Sequence, residues 1–246
     1  MTIIDRPLRM PRSVFLALWH EENLGKAPVV VEDTPMYLTD EGAAERAKRT
    51  RDLLAQLGET AATALRSTLK LLATARHEVY GWTDFGTHQE DNGAILVAAT
   101  KPEAVRLITD SEFVQLDPVS PDELAACLVM AMPECRPAAV RVMHVSREYY
   151  DGGASTDPLA EEGGDADELR YLMRAPRDAV HQLHAAVRDG RGERRYSPPL
   201  SVLDLSGRGR VLSFQTTRGG EAQISVYPGN RASLIDAVNR RLVGLR

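Results

Sequence analysis

The 246-residue sequence predicts an α+β fold, a quasi-twofold single domain whose central antiparallel sheet carries helices packed on it. Three observations predict it. The stretch VQLDPVSPDELAACLVMAM (114–132) returns 110 positions later as ISVYPGNRASLIDAVNRRL (224–242). A trio of strand-like segments precedes each copy. The acidic segment 151–168 lies between the copies, where a connector belongs.

In each copy alternating residues come first: Val114 and Leu116 share a strand face, as do Ala222, Ile224 and Val226. Pro118 or Pro228 ends the strand, because proline has no N–H for a sheet ladder. Leu124, Leu128 and Met132, like Leu234, Val238 and Leu242, recur every four residues and make one apolar helix stripe. Ser120, followed by Pro121, is the expected cap of the first helix, and Asn230 of the second.

The trios are 77–85, 93–100 and 104–110 in the first half and 179–187, 200–205 and 210–217 in the second. Turn-rich joints such as QEDNG and SGRGR make them antiparallel. A weaker echo pairs MPRSVF (10–15) with MHVSRE (143–148), each with a serine three residues after a methionine. Helices are expected from Ser13 to Asn23, Thr39 to Leu57 and Thr60 to Ala75. Two copies suit a pseudo-twofold body with halves of about 1–132 and 139–246, since a solenoid needs three or more repeats. Segment 151–168 has seven acids, no base and five glycines or prolines, and is expected to be a mobile loop.

Charge is unevenly spread. Residues 1–169 hold 16 bases against 29 acids, whereas 14 bases face 6 acids from Arg170 onward. No apolar run is long enough to span a bilayer and the N-terminus lacks a signal-peptide pattern, so the expected compartment is the cytoplasm. Cys127 and Cys135 match no zinc or redox spacing and read as free structural thiols. No P-loop, GxSxG, HExxH or GxGxxG pattern is present, and no enzyme constellation or cofactor is expected. His181 and His184 of HQLH have opposite strand parity and cannot share a metal. RDGRGERR (188–195), with Arg208, Arg210 and Arg218, is the best case for nucleic acid, but arginines in hairpin turns ordinarily protect sheet edges. Trp82 and Phe85 suit either a partner-facing anchor or plain core.

The tail PRDAVHQLHAAVRDGRGERRYSPPLSVLDLSGRGRVLSF, followed by EAQISVYPGNRASLIDAVNRRLVGL, resembles the C-terminal region of the EspG-type chaperones of actinobacterial ESX (type VII) secretion. Ala185 to Asp189, Arg194 and Arg195, Asp204, Gly209 with Arg210, and Val226 to Leu245 follow the family's order. SVFLALWHEENLGKAPVVVE resembles its opening helix. His181, where the family often has glycine, and Ala222, near which it has an aromatic, mark a divergent member. The resemblance implies a non-enzymatic cytosolic chaperone that holds PE–PPE or other helical-hairpin secretion substrates soluble for export. It also implies that the loop Gly86, Thr87, His88, Gln89, Glu90, Asp91 and Asn92 takes part in substrate binding. Gln223, Ser225 and Tyr227, of outward parity on the last strand, are the second candidate surface. A homodimer is left open. The competing reading is a nucleic-acid- or small-ligand-binding regulator, which a steep salt dependence of binding would reveal.

Overall fold

The computed structural model describes residues 2–31, 39–86, 88–152 and 162–245. The first half runs β1 (Leu8–Pro11), α1 (Arg12–Glu21), α2 (Asp40–Thr74), β2 (His77–Asp84), β3 (Gly93–Thr100), β4 (Glu103–Thr109), β5 (Phe113–Val119) and α3 (Leu124–Val129). The second runs β6 (Met143–Ser146), α4 (Arg147–Tyr150), α5 (Glu162–Arg174), β7 (Arg177–Arg188), β8 (Arg194–Tyr196), β9 (Leu200–Leu205), β10 (Gly209–Arg218), β11 (Glu221–Pro228) and α6 (Arg231–Val243). Apart from β8, which folds back on β7, the two lists are the same list.

The strands form one antiparallel sheet in the order β1-β5-β4-β3-β2-β7-β9-β10-β11-β6. That order is a palindrome about the β2–β7 contact, so the pseudo-twofold passes there. Register makes the equivalence residue by residue. In the first half Leu8 faces Leu116, which faces Leu107, then Leu96, then Tyr80, then His184. In the second half Met143 faces Val226, then Ser213, Ser201, Gln182 and finally Trp82. Leu8 thus occupies the place of Met143, so the methionine–serine echo finds the right strands but is two residues out of step. Gly81 lies at the axis, where a Cβ would come within 2.5 Å of the Leu183 side chain and 2.8 Å of the Gln182 carbonyl oxygen. Only glycine lets the central strands approach this closely.

On one face α3 and α6 lie side by side across the axis, their Leu124, Leu128, Leu234, Val238 and Leu242 packed on Val79, Val97, Leu183, Val202 and Leu212. Leu128 and Val238 are fully buried, and each such side chain contributes about 1.5–3 kcal/mol. The opposite face has two helical layers. Over the first half, Leu65, Leu69 and Leu72 of α2 and Phe15, Leu18 and Trp19 of α1 cover Leu96, Leu107 and Leu116. Over the outer second half, Leu169 and Leu172 of α5 cover Leu203, Leu205, Val211 and Val226.

Two local expectations are met and two are corrected. The helices expected over 39–57 and 60–75 are both present, meeting within α2 at Gly58, whose φ of 76° and ψ of 168° are non-helical. Ser120 does not cap α3: Pro121 and Asp122 form a turn, Asp122 pairs with Lys101 at 2.8 Å, and the helix starts three residues later. Asn230 does cap α6, its Oδ1 accepting from the Ser233 N–H at 2.9 Å. The expected acidic loop is shorter than 151–168, because 162–168 open α5; residues 153–161 lie outside the described residues. Carboxylates are favoured in the first turn of a helix, where Asp165 stands; it and Glu168, further along α5, pair with Arg141. The sheet has helices on both faces, so no whole face is left free. Among the described residues, what is free is the middle of one.

Candidate functional site

The uncovered area follows from unequal helical cover over equivalent strands. α2 is two helices joined at the Gly58 kink and covers the first half together with α1, whereas α5 is a single helix of 13 residues over the outer second half. Beneath α2 the cross-strand row reads Tyr80, Leu96, Leu107; the equivalent row in the second half reads Gln182, Ser201, Ser213. Apolar residues stand where the chain supplies its own helix, and polar ones where it does not. The result is a groove of about 290 Å³, floored by Ser201 and Ser213 and walled by Tyr150, Leu169 and Met173 on one side and Pro198 and Pro199 on the other.

Towards the axis the same face presents rings. Tyr80 stacks on His184 at 5.3 Å between centroids, and Trp82 meets His184 edge-on at 5.6 Å. Trp82 and His184 are half-buried, and Gln182, opposite Trp82 on β7, is exposed. Burial pushes the His184 imidazole down from its ordinary value, a shift opposed by its contact with the Ser197 backbone. The ring is therefore neutral at neutral pH and serves as an apolar plate. Aromatic plates with interspersed polar groups are the composition of a protein-binding patch.

At one end of this face stands the loop from Gly86 to Asn92. Its base is tied: the Phe85 N–H donates to Asn92 Oδ1 at 2.8 Å and the Gly86 N–H to Asp84 Oδ1 at 2.9 Å. Gly86 has a φ of 62°, which glycine adopts without strain. A single tight turn, Gln89–Asp91, forms the tip, and His88, Gln89, Glu90 and Asp91 are exposed. Thr87 lies outside the described residues. The predicted loop is thus a rigid-based projection of the kind that carries recognition on a scaffold. Phe85 at its foot lines a second groove of about 260 Å³ with Ile95, Ile108, Phe113 and Ala131.

Gln223, Ser225 and Tyr227 are not brought to this place. They point to the α3–α6 face, and β6 pairs with β11, so β11 is not an edge. Ser225 is 2% exposed and bonded to His144 Nδ1 at 3.0 Å, which removes it from any contact surface. Tyr227 is half-buried and stacks on Phe214 at 5.6 Å. Alternation along one strand separates two faces, but both faces here are covered. The groove residues Gln182, Ser201 and Ser213 were missed because polar residues in a strand look like ordinary surface. The signal that finds them is the apolar-to-polar change between equivalent rows.

The buried ionic network has another role. Arg210 donates from Nε and Nη2 to the two carboxylate oxygens of Asp204 at 2.6 and 2.7 Å. His181 Nε2 lies 3.1 Å from Asp204 Oδ2 and its Nδ1 2.8 Å from Thr83 Oγ1. Arg210 also donates to the Pro133 carbonyl at 3.0 Å. Burial alone would raise the Asp204 carboxyl, but the hydrogen bonds and charges of Arg210 and His181 outweigh it and hold it far below the usual carboxylate range. The network joins β2, β7, β9 and β10 to the connector after α3. It is a clamp.

A family model described as the EspG family matches residues 12–240. Among solved structures, the Mycobacterium tuberculosis type VII secretion system chaperone EspG5, in complex with the PE25–PPE41 dimer, is similar. The TM-score is 0.66, the likeness covers 97% of this chain and 96% of that one, and sequence identity is 17%. At that identity the structural likeness speaks for the fold. No curated protein matches the chain significantly. The family match spans nearly the whole chain and agrees with the quasi-twofold sheet described above: this protein belongs to the EspG family.

Proposed function

We propose that this protein is a non-enzymatic, cytoplasmic chaperone of type VII secretion, which binds a PE–PPE or related helical-hairpin substrate and keeps it soluble for export. The substrate tip lies in the groove over Gln182, Ser201 and Ser213 and against the loop from Gly86 to Asn92, with Trp82 and His184 as apolar anchors. The observation that carries this reading is the replacement of Leu96 and Leu107 by Ser201 and Ser213 at equivalent positions, which leaves a groove of about 290 Å³ unfilled by the described residues. Family membership and the PE25–PPE41 dimer held by the similar EspG5 structure support it. Among the described residues no helix is long and apolar enough to cross a membrane.

The basic run 188–195 gives little support to nucleic-acid binding. Arg188 is spent on the Ala73, Ala75 and Gly192 carbonyls and Arg194 on Glu78. The test is co-expression with each PE–PPE pair of the same genome followed by size-exclusion chromatography. Wild type is expected to co-elute with one pair, and deletion of 88–91 to weaken that complex at least about tenfold, roughly 1.4 kcal/mol, with unchanged thermal stability. Failure to retain any pair, together with salt-sensitive binding to DNA or RNA, would refute the chaperone reading.

A further inference from the structure

The pseudo-twofold that relates β2 to β7 also relates the loop between β2 and β3 to the loop between β7 and β9. These two loops sit at opposite ends of the groove face. Their charges are opposite. The first, after Asp84, carries Glu90 and Asp91 and has no lysine or arginine; the second carries Arg191, Arg194 and Arg195 against Asp189 and Glu193.

Much of this charge is free to act on a partner. At the acidic end, the only ionic partner of Glu90 among the described residues is His88 at 3.7 Å, and both side chains are more than two-thirds exposed. Asp91 is exposed beside them. Bases near that end are turned to local partners: Arg177 to the Met173 carbonyl, Arg208 over Tyr171, and Arg136 to the Gly207 carbonyl. At the basic end, Asp189 is used inside its own turn, where its Oδ1 accepts from the Arg191 and Glu193 N–H groups. Arg194 is held by the buried Glu78. Arg191 and Arg195 are exposed, and neither side chain has an ionic partner among the described residues. Arg76 is exposed next to them, its carbonyl accepting from the Arg188 N–H at 2.8 Å.

The groove lies on one side of the axis, but the two loops flank its face from opposite ends, so a ligand lying between them meets acid at one end and base at the other. Such a charge pattern discriminates between the two directions of the ligand by penalising the wrong one. We propose that these two loops, equivalent in fold and opposite in charge, set the direction in which the substrate lies: a basic part of the helical-hairpin tip against Glu90 and Asp91, and an acidic part against Arg191 and Arg195. This rests on the chaperone reading and adds to it the charge pattern of the partner. Turning the hairpin round would set like charges together at both ends.

The experiment uses the PE–PPE pair that co-elutes with wild type. Affinity is measured for wild type, E90K/D91K, R191E/R195E and the fourfold swap, at about 50 mM and about 500 mM salt, since exposed charges are screened beyond roughly 10 Å at 0.1 M. Each double variant is expected to weaken binding about fivefold to tenfold at low salt, with the effect shrinking below about twofold at high salt. A photo-crosslinking residue at a basic tip position of the substrate is expected to mark residues 86–92 in wild type and 189–196 in the fourfold swap. Binding by wild type that is indifferent to all four charges, or an unmoved crosslink in the swap, overturns the orientation proposal and leaves the chaperone reading standing. Absence of any wild-type complex overturns both.

Discussion

Asp204→Ala is expected to cost about 3–5 kcal/mol of stability, because it strands the buried Arg210 guanidinium and His181 beside no counter-charge. Domains have about 5–15 kcal/mol in all, so the variant should be largely unfolded or lose a great part of its denaturation midpoint. Arg210 is 4% exposed and His181 fully buried, so water cannot replace the lost carboxylate. The damage spreads, because Arg210 also holds the connector: its N–H donates to the Arg136 carbonyl at 2.7 Å and its carbonyl accepts from Ala138 and Gly229 at 2.8 Å. Gly229 has no room for a Cβ, which would meet Arg210 Cγ at 2.3 Å. The pH dependence has a definite sign. The folded carboxyl of Asp204 titrates below its unfolded value near 3.9, so its contribution is complete above about pH 4 and is lost as pH falls towards the folded value. Urea denaturation at pH 7 and between about pH 4 and 2 measures it. A change under about 1 kcal/mol at pH 7 would mean that the network is not the clamp described.

Ser201→Trp is expected to abolish substrate capture while leaving the fold intact. Ser201 is half-buried on the groove floor, and an indole there fills much of the roughly 290 Å³ that the substrate needs. Binding should weaken at least about 100-fold, near 2.7 kcal/mol. Thermal stability should change little, because the new ring enters a cleft and displaces no packed side chain. Ser201→Ala is the control and should bind like wild type. Undiminished binding by the tryptophan variant would exclude the groove.

Much of the architecture was legible because strand alternation and helix stripes are local patterns. The 110-residue offset located β5 with β11 and α3 with α6, whose burial imposes the same side chains twice. Helix starts were less legible: Ser120 and Asn230 look equally good as caps, but only tertiary context decides that the residues after Ser120 turn before they coil. The loop from Gly86 to Asn92 was readable as a long hairpin connection. The groove was not, since a serine in a strand looks like ordinary surface unless Ser201 is set beside Leu96 and Ser213 beside Leu107. That comparison requires register, because the offset shrinks strand by strand towards the axis. Ser225 misled for the opposite reason: its parity is outward from one core and inward to another.

Oxidative footprinting of the chain, free and with its PE–PPE pair, tests the central claim most directly. Trp82, His184, Met173 and Tyr150 bear reactive side chains on the groove face, whereas Met130 and Tyr227 belong to the α3–α6 side. Protection of the first four on binding, with Met130 and Tyr227 unchanged, is the predicted result; protection of Met130 and Tyr227 with the groove residues still reactive would contradict it.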